Sequence, residues 1–192
     1  MPHIHVDKNL PGIRSLMAFN PETASPMGEL ANLLLRSNEG LSMAERELIA
    51  AHVSYLNDCF YCQQSHGAIA ACYLGGDTEL VEQVKKDFIH ADISEKLKSL
   101  LAIAGSVQKG GKHVTPIQID VAKNMGATDK DIHDTVLIAA AFCMFNRYVD
   151  GLAANTPTDL STYPLRAKQV AEKGYGNHIF SNPQHIPETG DI

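Results

Sequence analysis

Three residues in one short stretch of the sequence have the types and spacing for thiol chemistry. Cys59 and Cys62 are three residues apart, and His66 follows Cys62 by four. If the stretch is helical, the three side chains share one face, because residues three and four apart are neighbours on a helix surface. Cys59 in the first turn would have a lowered pKa from the helix dipole. Two sulfurs at this spacing can also close into a disulfide, so the pattern predicts a redox-active dithiol.

Glu47 lies twelve residues before Cys59 and is expected on the preceding helix. If the two helices are antiparallel and joined at residues 57–58, Glu47 lies roughly 15 Å from the joint and His66 roughly 10 Å from it, by the rise per residue. Glu47 therefore reaches His66 more readily than Cys59. A carboxylate that orients an imidazole, which in turn takes the thiol proton of Cys62, makes a proton relay.

The cysteine pair has other interpretations. Cys59, Cys62 and His66, with Glu47 or an external fourth ligand, could bind Zn²⁺. No second CxxC or HxxxH follows at zinc-finger spacing, so the dithiol is favoured. A c-type haem site requires a histidine directly after the second cysteine, where this chain has Gln63, and is excluded. Two packed core cysteines are the third interpretation. We expect neither a metal nor a cofactor.

Further residues near the motif have weaker signals. Tyr61 lies between the cysteines, points off their face and is expected to line the pocket. His52 is expected to support the same pocket from the preceding helix. Cys72 and Cys143 lie in Ala-rich surroundings and are expected in the core.

The composition excludes several classes of protein. The 192 residues are enough for one sizeable domain, and 44% are apolar, so a core can form. There are 16 Lys and Arg against 22 Asp and Glu, a net charge of −6 that does not suit a phosphate backbone. Aromatic residues make up 6% without any Trp, which argues against a base-stacking platform. No segment has the roughly 20 apolar residues that span a bilayer.

Helix signals run through most of the chain, and no segment alternates with a period of two. Ser42 and Glu45 form one capping box, and Thr115 and Gln118 form a second. Asp58 is the expected N-cap of the helix that carries the cysteines. The patterns predict an all-α fold with about seven helices, over residues 25–38, 42–56, 59–74, 78–90, 94–109, 115–126 and 128–154.

The two ends of the chain lack the long helical pattern. The first twenty residues contain Pro2 and Pro11, are followed by Pro21, and are expected to be extended. We divide the chain into a helical domain over residues 1–157 and a C-terminal arm or flexible tail over residues 158–192. The tail is expected to be disordered or to lie on a neighbouring subunit, with a short helix at residues 165–173.

The sequence resembles the AhpD-like alkylhydroperoxidase branch of the carboxymuconolactone decarboxylase family. The similarity rests on Glu47 with the CxxCxxxH motif of residues 59–66, and on residues 41–50, which read LSMAERELIA. The Phe-Asn-Arg group at residues 145–147 is also similar to the peroxidase-related members. The resemblance covers residues 21–154, which is most of the chain.

The resemblance implies an AhpD-like helical bundle that forms homo-oligomers (dimers, trimers or hexamers) and has thiol-dependent peroxidase activity. In the family the second cysteine is peroxidatic, so Cys62 would attack the hydroperoxide and Cys59 would resolve the sulfenic acid as a disulfide. His66 and Glu47 would activate Cys62. The best-known members have a histidine where this chain has Tyr61, so the relay would be shorter. The classical decarboxylases lack the CxxC motif, so lactone decarboxylation is not expected.

The expected function is therefore that of an antioxidant peroxidase, with a hydroperoxide substrate and an external dithiol reductant. A dithiol–disulfide oxidoreductase or redox sensor acting on protein thiols, and a zinc-binding structural oligomer, are the alternatives. Residues 1–8 lead into no apolar signal segment, which predicts a cytoplasmic location. Neither nucleic acid nor a membrane is expected as a partner.

Overall fold

The computed structural model of the chain describes residues 1–175, and these residues form an all-α fold without β-strands. No helix in this part of the chain is long and apolar enough to cross a membrane. The nine α-helices of the described residues are α1 (Ile13–Phe19), α2 (Pro21–Leu35), α3 (Met43–Leu56), α4 (Phe60–Tyr73), α5 (Thr78–Asp87), α6 (Glu95–Lys109), α7 (Pro116–Asn124), α8 (Asp129–Gly151) and α9 (Tyr163–Lys173).

The seven long helices predicted from the sequence correspond to α2–α8, and the short helix predicted in the tail is α9. The expectation that the first twenty residues are extended is wrong, because they contain α1. Leu16 and Met17 of α1 are buried at 0% and 5% exposure. Burial of these side chains stabilises a helix that the flanking prolines had obscured.

The capping residues define where several helices begin. Ser42 and Glu45 form the predicted capping box of α3, in which the Glu45 amide donates to Ser42 Oγ at 3.2 Å and the Ser42 amide donates to Glu45 Oε2 at 2.8 Å. Thr115 and Gln118 form the same arrangement at α7. These boxes satisfy backbone amides that would otherwise lack partners.

The joint between α3 and α4 differs from the prediction in one respect. Asp58 is not the N-cap of α4; it adopts a left-handed conformation with φ of 56°. The Asp58 amide donates to the Tyr55 carbonyl and the Cys59 amide donates to the Ser54 carbonyl, both at 3.0 Å, which is the Schellman pattern that ends α3. Cys59 takes the N-cap position of α4 instead. The turn that ends one helix thus places the first cysteine at the start of the next.

Helix α3 lies at the centre of the molecule. Ile49, Ala50 and Val53 are completely buried in the main core, against residues of α6 and α8. Arg46 of α3 pairs with Asp134 of α8 at 2.7 Å, and both side chains are buried. Because α3 is fixed on several sides, it provides a rigid support for the polar groups that it carries.

The described part of the predicted tail packs against the same chain. Ala167 and Val170 of α9 form a buried cluster with Ile69 of α4, and Arg36 Nη1 donates to the Val170 carbonyl at 2.8 Å. Residues 158–175 therefore pack on their own chain, and a contact of this segment with a neighbouring subunit stays a prediction. Residues 176–192 lie outside the described residues, and the domain boundary at residue 157 stays a prediction.

Candidate active site

Cys59 and Cys62 lie at the N-terminus of α4 and are both buried. Cys59 is 0% exposed and Cys62 is 3% exposed, and both are free thiols. The side-chain hydrogen bond with Cys62, together with burial, raises the pKa of Cys59. The prediction that the helix dipole lowers this pKa is wrong, because these two effects outweigh the dipole. Cys59 therefore keeps its thiol proton.

Glu47 and His66 meet across the α3–α4 interface, as the helix rise predicted. Glu47 Oε2 lies 2.7 Å from His66 Nδ1, and Glu47 is completely buried. The edge of the His66 ring packs against Phe142, with ring centroids 4.5 Å apart and planes at 87°. Because Nδ1 is bound to the carboxylate, Nε2 is the nitrogen that can exchange a proton with Cys62, one helical turn away.

Tyr175 is a third member of this network, and sequence reasoning missed it. Its hydroxyl donates to Glu47 Oε1 at 2.7 Å and lies 3.2 Å from His66 Nδ1. Its ring stacks on His66, with centroids 6.0 Å apart and planes at 20°. Burial and the charge of Glu47 raise the pKa of Tyr175 well above its ordinary value, so the hydroxyl stays a donor. Both oxygens of the buried carboxylate thus have a partner.

The backbone of Tyr175 is held by Asn32 of α2. The Tyr175 amide donates to Asn32 Oδ1 at 2.7 Å, and Asn32 Nδ2 donates to the Tyr175 carbonyl. Gly174 follows α9 with φ of 78°, a conformation that favours glycine. A Cβ at Gly174 would lie 2.8 Å from Asn32 Oδ1. The glycine after the predicted helix signals where α9 ends, but nothing in the sequence indicates where the next side chain goes.

Two neighbouring cavities border this part of α4. The inner cavity has a volume of about 80 Å³ and is lined by Cys62, His66 and mostly apolar side chains. The outer cavity has a volume of about 490 Å³ and is lined by more polar residues, Lys8 among them. Residues of α1, α4 and α9 border both cavities: Arg14, Tyr61, Ser65, Ile69 and Arg166.

Tyr61 lies on the wall between the two cavities, which agrees with its predicted place in the pocket lining. Burial raises its pKa to about 12, so the hydroxyl is protonated at neutral pH. Its ring packs on Gly12, where an added Cβ would lie 2.2 Å from a ring carbon. Gly12 also has φ of 55°, so a side chain there would be both strained and obstructed.

Asp150, at the end of α8, is a second residue that sequence reasoning missed. Its carboxylate interacts with the thiol of Cys59. Partial burial raises the pKa of Asp150 from its ordinary value. The raised pKa makes Asp150 a stronger base than a free aspartate, and the contact places it beside the cysteine that keeps its proton.

Three residues singled out in the sequence lie away from this site. His52 borders a separate cavity and packs edge-on against Phe88, with ring centroids 5.1 Å apart, so it does not line the same pocket as Tyr61. Burial lowers the pKa of His52 to about 4. Cys72 is exposed, and its predicted place in the core is wrong because it lies on the outer face of α4. Cys143 is partly buried and packs against the main core.

The donor atoms of the site are arranged for proton transfer. No group of three or more His, Cys, Asp and Glu side chains among residues 1–175 is placed to hold a metal ion. His66 Nδ1 is committed to Glu47, and the two sulfurs interact with each other.

Comparison with known proteins places the chain in a family. Its sequence matches the carboxymuconolactone decarboxylase family over residues 21–83 and 78–156. The chain belongs to this family. A comparison with curated proteins found no significant match. The family match includes the whole of α3 and α4, and ends before α9.

Solved structures support the AhpD-like fold. The chain is similar to an uncharacterized peroxidase-related protein with an alkylhydroperoxidase AhpD core from Ralstonia eutropha JMP134, with 27% identity, a TM-score of 0.72 and 78% of each chain covered. It is also similar to an uncharacterized peroxidase-related protein from Silicibacter sp. TM1040, with 29% identity, a TM-score of 0.71 and 78% of each chain covered. The debrominase Bmp8, in complex with 2,3,4-tribromopyrrole, shares the fold at 17% identity, with a TM-score of 0.67 and coverage of 83% of this chain and 86% of the debrominase.

Proposed function

We propose that the chain is a thiol-dependent peroxidase that reduces organic hydroperoxides with Cys62. The observation that carries the proposal is the Glu47–His66 hydrogen bond of 2.7 Å, one turn from a buried dithiol that borders a cavity. Two relatives that share more than a quarter of their residues with this chain are described as peroxidase-related, which supports the same chemistry.

In the first step, the sulfur of Cys62 attacks the terminal oxygen of the hydroperoxide. His66 Nε2 takes the thiol proton, and Glu47 stabilises the imidazolium that forms. The O–O bond breaks as the S–O bond forms. The alkoxide leaving group receives the proton back from His66, so the products are an alcohol and the sulfenic acid of Cys62.

In the second step, Cys59 resolves the sulfenic acid. Asp150 receives the proton of the Cys59 thiol as this sulfur attacks the sulfur of Cys62. An S–S bond forms, the S–O bond breaks, and the hydroxyl group leaves as water after protonation. The raised pKa of Cys59 keeps it a thiol until this step, which prevents it from competing with Cys62 for the peroxide.

The cycle closes when an external dithiol reduces the Cys59–Cys62 disulfide by thiol–disulfide exchange. The external dithiol is oxidised to its own disulfide, so two electrons pass from it to the peroxide. Such a cycle needs a compartment that keeps thiols reduced, and we therefore propose a cytoplasmic location.

The test is the fate of each thiol after one addition of cumene hydroperoxide, followed by mass spectrometry and stopped-flow kinetics. Cys62→Ser should abolish peroxide consumption, and Cys59→Ser should accumulate a sulfenic acid on Cys62. Cys72→Ser removes an exposed cysteine and is the matched control, which should react like the wild type. Peroxide consumption that persists in Cys62→Ser would falsify the proposal.

A thiol–disulfide oxidoreductase or redox sensor for protein thiols is the second candidate, because a CxxC dithiol supports that reaction too. The burial of both cysteines, at 0% and 3% exposure, disfavours direct exchange with the surface of another protein. Comparing the rate of Cys62 oxidation by hydroperoxide with the rate by a protein mixed disulfide separates the two. A faster reaction with the protein disulfide would favour the second candidate.

We also propose that the chain forms a homo-oligomer through α7. Ile117, Val121 and Met125 follow one another at helical spacing and are 74%, 44% and 46% exposed. A row of exposed apolar side chains is typical of a subunit interface. Ile117→Asp should lower the mass measured by light scattering, whereas Leu33→Asp, at an equally exposed position on α2, should not. A monomeric wild-type protein would contradict the proposal.

A further inference from the structure

Asn146 is a buried polar member of the Phe-Asn-Arg group on α8. It is 1% exposed, whereas Arg147 beside it is exposed and donates to the Cys143 carbonyl at 2.8 Å. Asn146 Nδ2 donates to Ser54 Oγ at 3.1 Å, and Asn146 Oδ1 accepts from Asn57 Nδ2 at 2.8 Å. Because a buried amide is unfavourable unless its donor and its acceptor are both used, these two bonds define how the side chain is oriented.

The two partners of Asn146 belong to the turn that joins α3 to α4. The Ser54 carbonyl accepts from the Cys59 amide at 3.0 Å. Asn57 is the C-cap of α3 and directly precedes Asp58, whose left-handed conformation reverses the chain. One side chain on α8 therefore holds both the residue before the reversal and the residue whose carbonyl binds the first cysteine.

The same hydrogen-bond network reaches α6. Gln108 Nε2 donates to Asn57 Oδ1 at 3.0 Å and to the Leu56 carbonyl at 3.3 Å. The donors follow one direction, from Gln108 to Asn57, from Asn57 to Asn146 and from Asn146 to Ser54. Hydrogen bonds in such a chain polarise one another, so removal of a middle member weakens the others. The end of α3 is thereby fixed to α6 and α8.

The two cysteines depend on this network to different degrees. Cys62 lies inside α4, where the helix backbone determines its position. Cys59 is the N-cap of α4, and its side chain makes no capping hydrogen bond. Asp150, which interacts with the Cys59 thiol, follows Asn146 by four residues and lies on the same side of α8. Where Cys59 lies relative to Cys62 therefore depends on the turn that Asn146 holds.

We propose that Asn146 is a positioning residue for the resolving cysteine, because it holds the turn over residues 54–59 and so keeps the Cys59 sulfur within reach of Cys62. This inference rests on the proposed function and gives the Phe-Asn-Arg group a part in its second step. In that step the S–S bond forms and the S–O bond breaks, the thiol proton of Cys59 passes to Asp150, and the hydroxyl group leaves as water after protonation. Asn146 contacts no reacting atom. It raises the effective concentration of one sulfur at the other.

The first test separates the two steps in Asn146→Ala after one addition of cumene hydroperoxide, by rapid quenching and mass spectrometry. Formation of the sulfenic acid should keep its wild-type rate. Closure of the disulfide should slow about tenfold, which is the factor expected when two hydrogen bonds of ordinary strength are lost from one step.

Thr135→Ala is the matched control for the first test. Thr135 is a completely buried residue of the same helix, and its hydroxyl donates to the Asp131 carbonyl at 2.7 Å. It lies roughly 16 Å from Asn146 along the helix, by the rise per residue. Thr135→Ala should leave both steps unchanged. Equal slowing of both steps in Asn146→Ala, or equal slowing of closure in the two variants, would overturn the inference.

The second test measures the reduction potential of the Cys59–Cys62 pair in dithiothreitol redox buffers and needs no peroxide. A looser turn favours the open dithiol, so the disulfide of Asn146→Ala should be about tenfold easier to reduce, which is a potential about 30 mV less negative. Ser54→Ala removes only the last bond of the chain and should give about a threefold change, which provides a measurement if Asn146→Ala does not fold. Combining the two substitutions should add little to Asn146→Ala alone, because both remove the same contact.

A wild-type potential in Asn146→Ala, or in Ser54→Ala where only that variant folds, would overturn the inference and leave the proposed function in place. Failure of cumene hydroperoxide to oxidise Cys62 in the wild type would overturn the proposed function instead. The potentials would then still report whether Asn146 positions Cys59.

Discussion

Two parts of the candidate active site differ in how far along the chain their contacts extend. The α3–α4 hairpin, residues 43–73, supplies Glu47, both cysteines and His66. The C-terminal segment, residues 158–175, supplies Tyr175, whose hydroxyl reaches Glu47 across 128 positions of sequence. The hairpin supplies most groups of the proposed reaction, with Asp150 added by α8, and the segment supplies a hydroxyl that holds Glu47.

The difference shows which contacts of the site are determined by residues that are near one another in the sequence. In the hairpin, helical periodicity and the turn between the two helices determine where each side chain points. The sequence positions of Glu47, the two cysteines and His66 therefore imply how these side chains lie relative to one another. In the C-terminal segment, the position of Tyr175 depends on how α9 packs on α4 and on the clamp from Asn32. The comparison predicts large catalytic effects for changes in the hairpin and smaller ones for changes in the segment.

The largest effect is expected for Glu47→Gln, which keeps the shape of the side chain but removes its charge. The imidazolium of His66 loses its stabilising partner, so oxidation of Cys62 should slow about 100-fold, in the range that proton relays contribute. Stopped-flow kinetics with cumene hydroperoxide measure this rate. Glu29→Gln on the surface of α2 is the control, and a rate within twofold of the wild type in Glu47→Gln would remove Glu47 from the relay.

A smaller effect is expected for Tyr175→Phe, which removes one hydrogen bond from the buried carboxylate. A hydrogen bond to a charged group contributes about 1.5–3 kcal/mol, and since Glu47 keeps His66 as a partner, we expect the rate to fall about tenfold. Tyr73→Phe removes a hydroxyl from the same α4–α9 region and is the matched control. If both variants slow the reaction equally, the docking of α9 matters and the Tyr175–Glu47 contact does not.

Asp150→Asn should act only on the second half of the reaction. Formation of the sulfenic acid should keep its wild-type rate, whereas closure of the disulfide should slow roughly fivefold, because water can replace an accessible carboxylate as proton acceptor. Rapid quenching followed by mass spectrometry resolves the two steps. Asp58→Asn changes a neighbouring acid and should leave both steps unchanged, and a slower first step in Asp150→Asn would contradict the assigned role.

The smallest effect on activity is expected at His52, which lies on the hairpin but outside the site. Its pKa is about 4 in the folded protein against 6.5 for an ordinary histidine, so below pH 6.5 the unfolded chain takes up a proton that the folded chain does not. The free energy of unfolding should therefore fall as the pH drops from 6.5 to 4, by up to roughly 3 kcal/mol. Urea unfolding of His52→Gln should show this dependence removed, with His90→Gln as the exposed control.

The sequence predicted the hairpin well because its information is local. The capping box at Ser42, the helix boundaries and the meeting of Glu47 with His66 all follow from spacing. Burial overturned two of the predictions. It raises the pKa of Cys59 against the helix dipole, and it stabilises α1 between two prolines, through Leu16 among others.

The short helix of the C-terminal segment was predicted, but its contacts were not, because they are made with residues far away in the sequence. The signals at its ends, such as Gly174 after α9, predict that a helix stops but not what it packs against. In the sequence, Tyr175 is one aromatic residue in a polar stretch. Its position beside Glu47 follows only from the structure, in which Asn32 holds its backbone.

The family match ends at residue 156, before Tyr175. A relative could keep the matched region, with its cysteines, His66 and Glu47, and replace Tyr175 without changing any residue of the motif. Such a relative would share the motif but would lack the hydroxyl that holds the second oxygen of Glu47. The electrostatic surroundings of the motif can therefore change through a segment that the family match does not include.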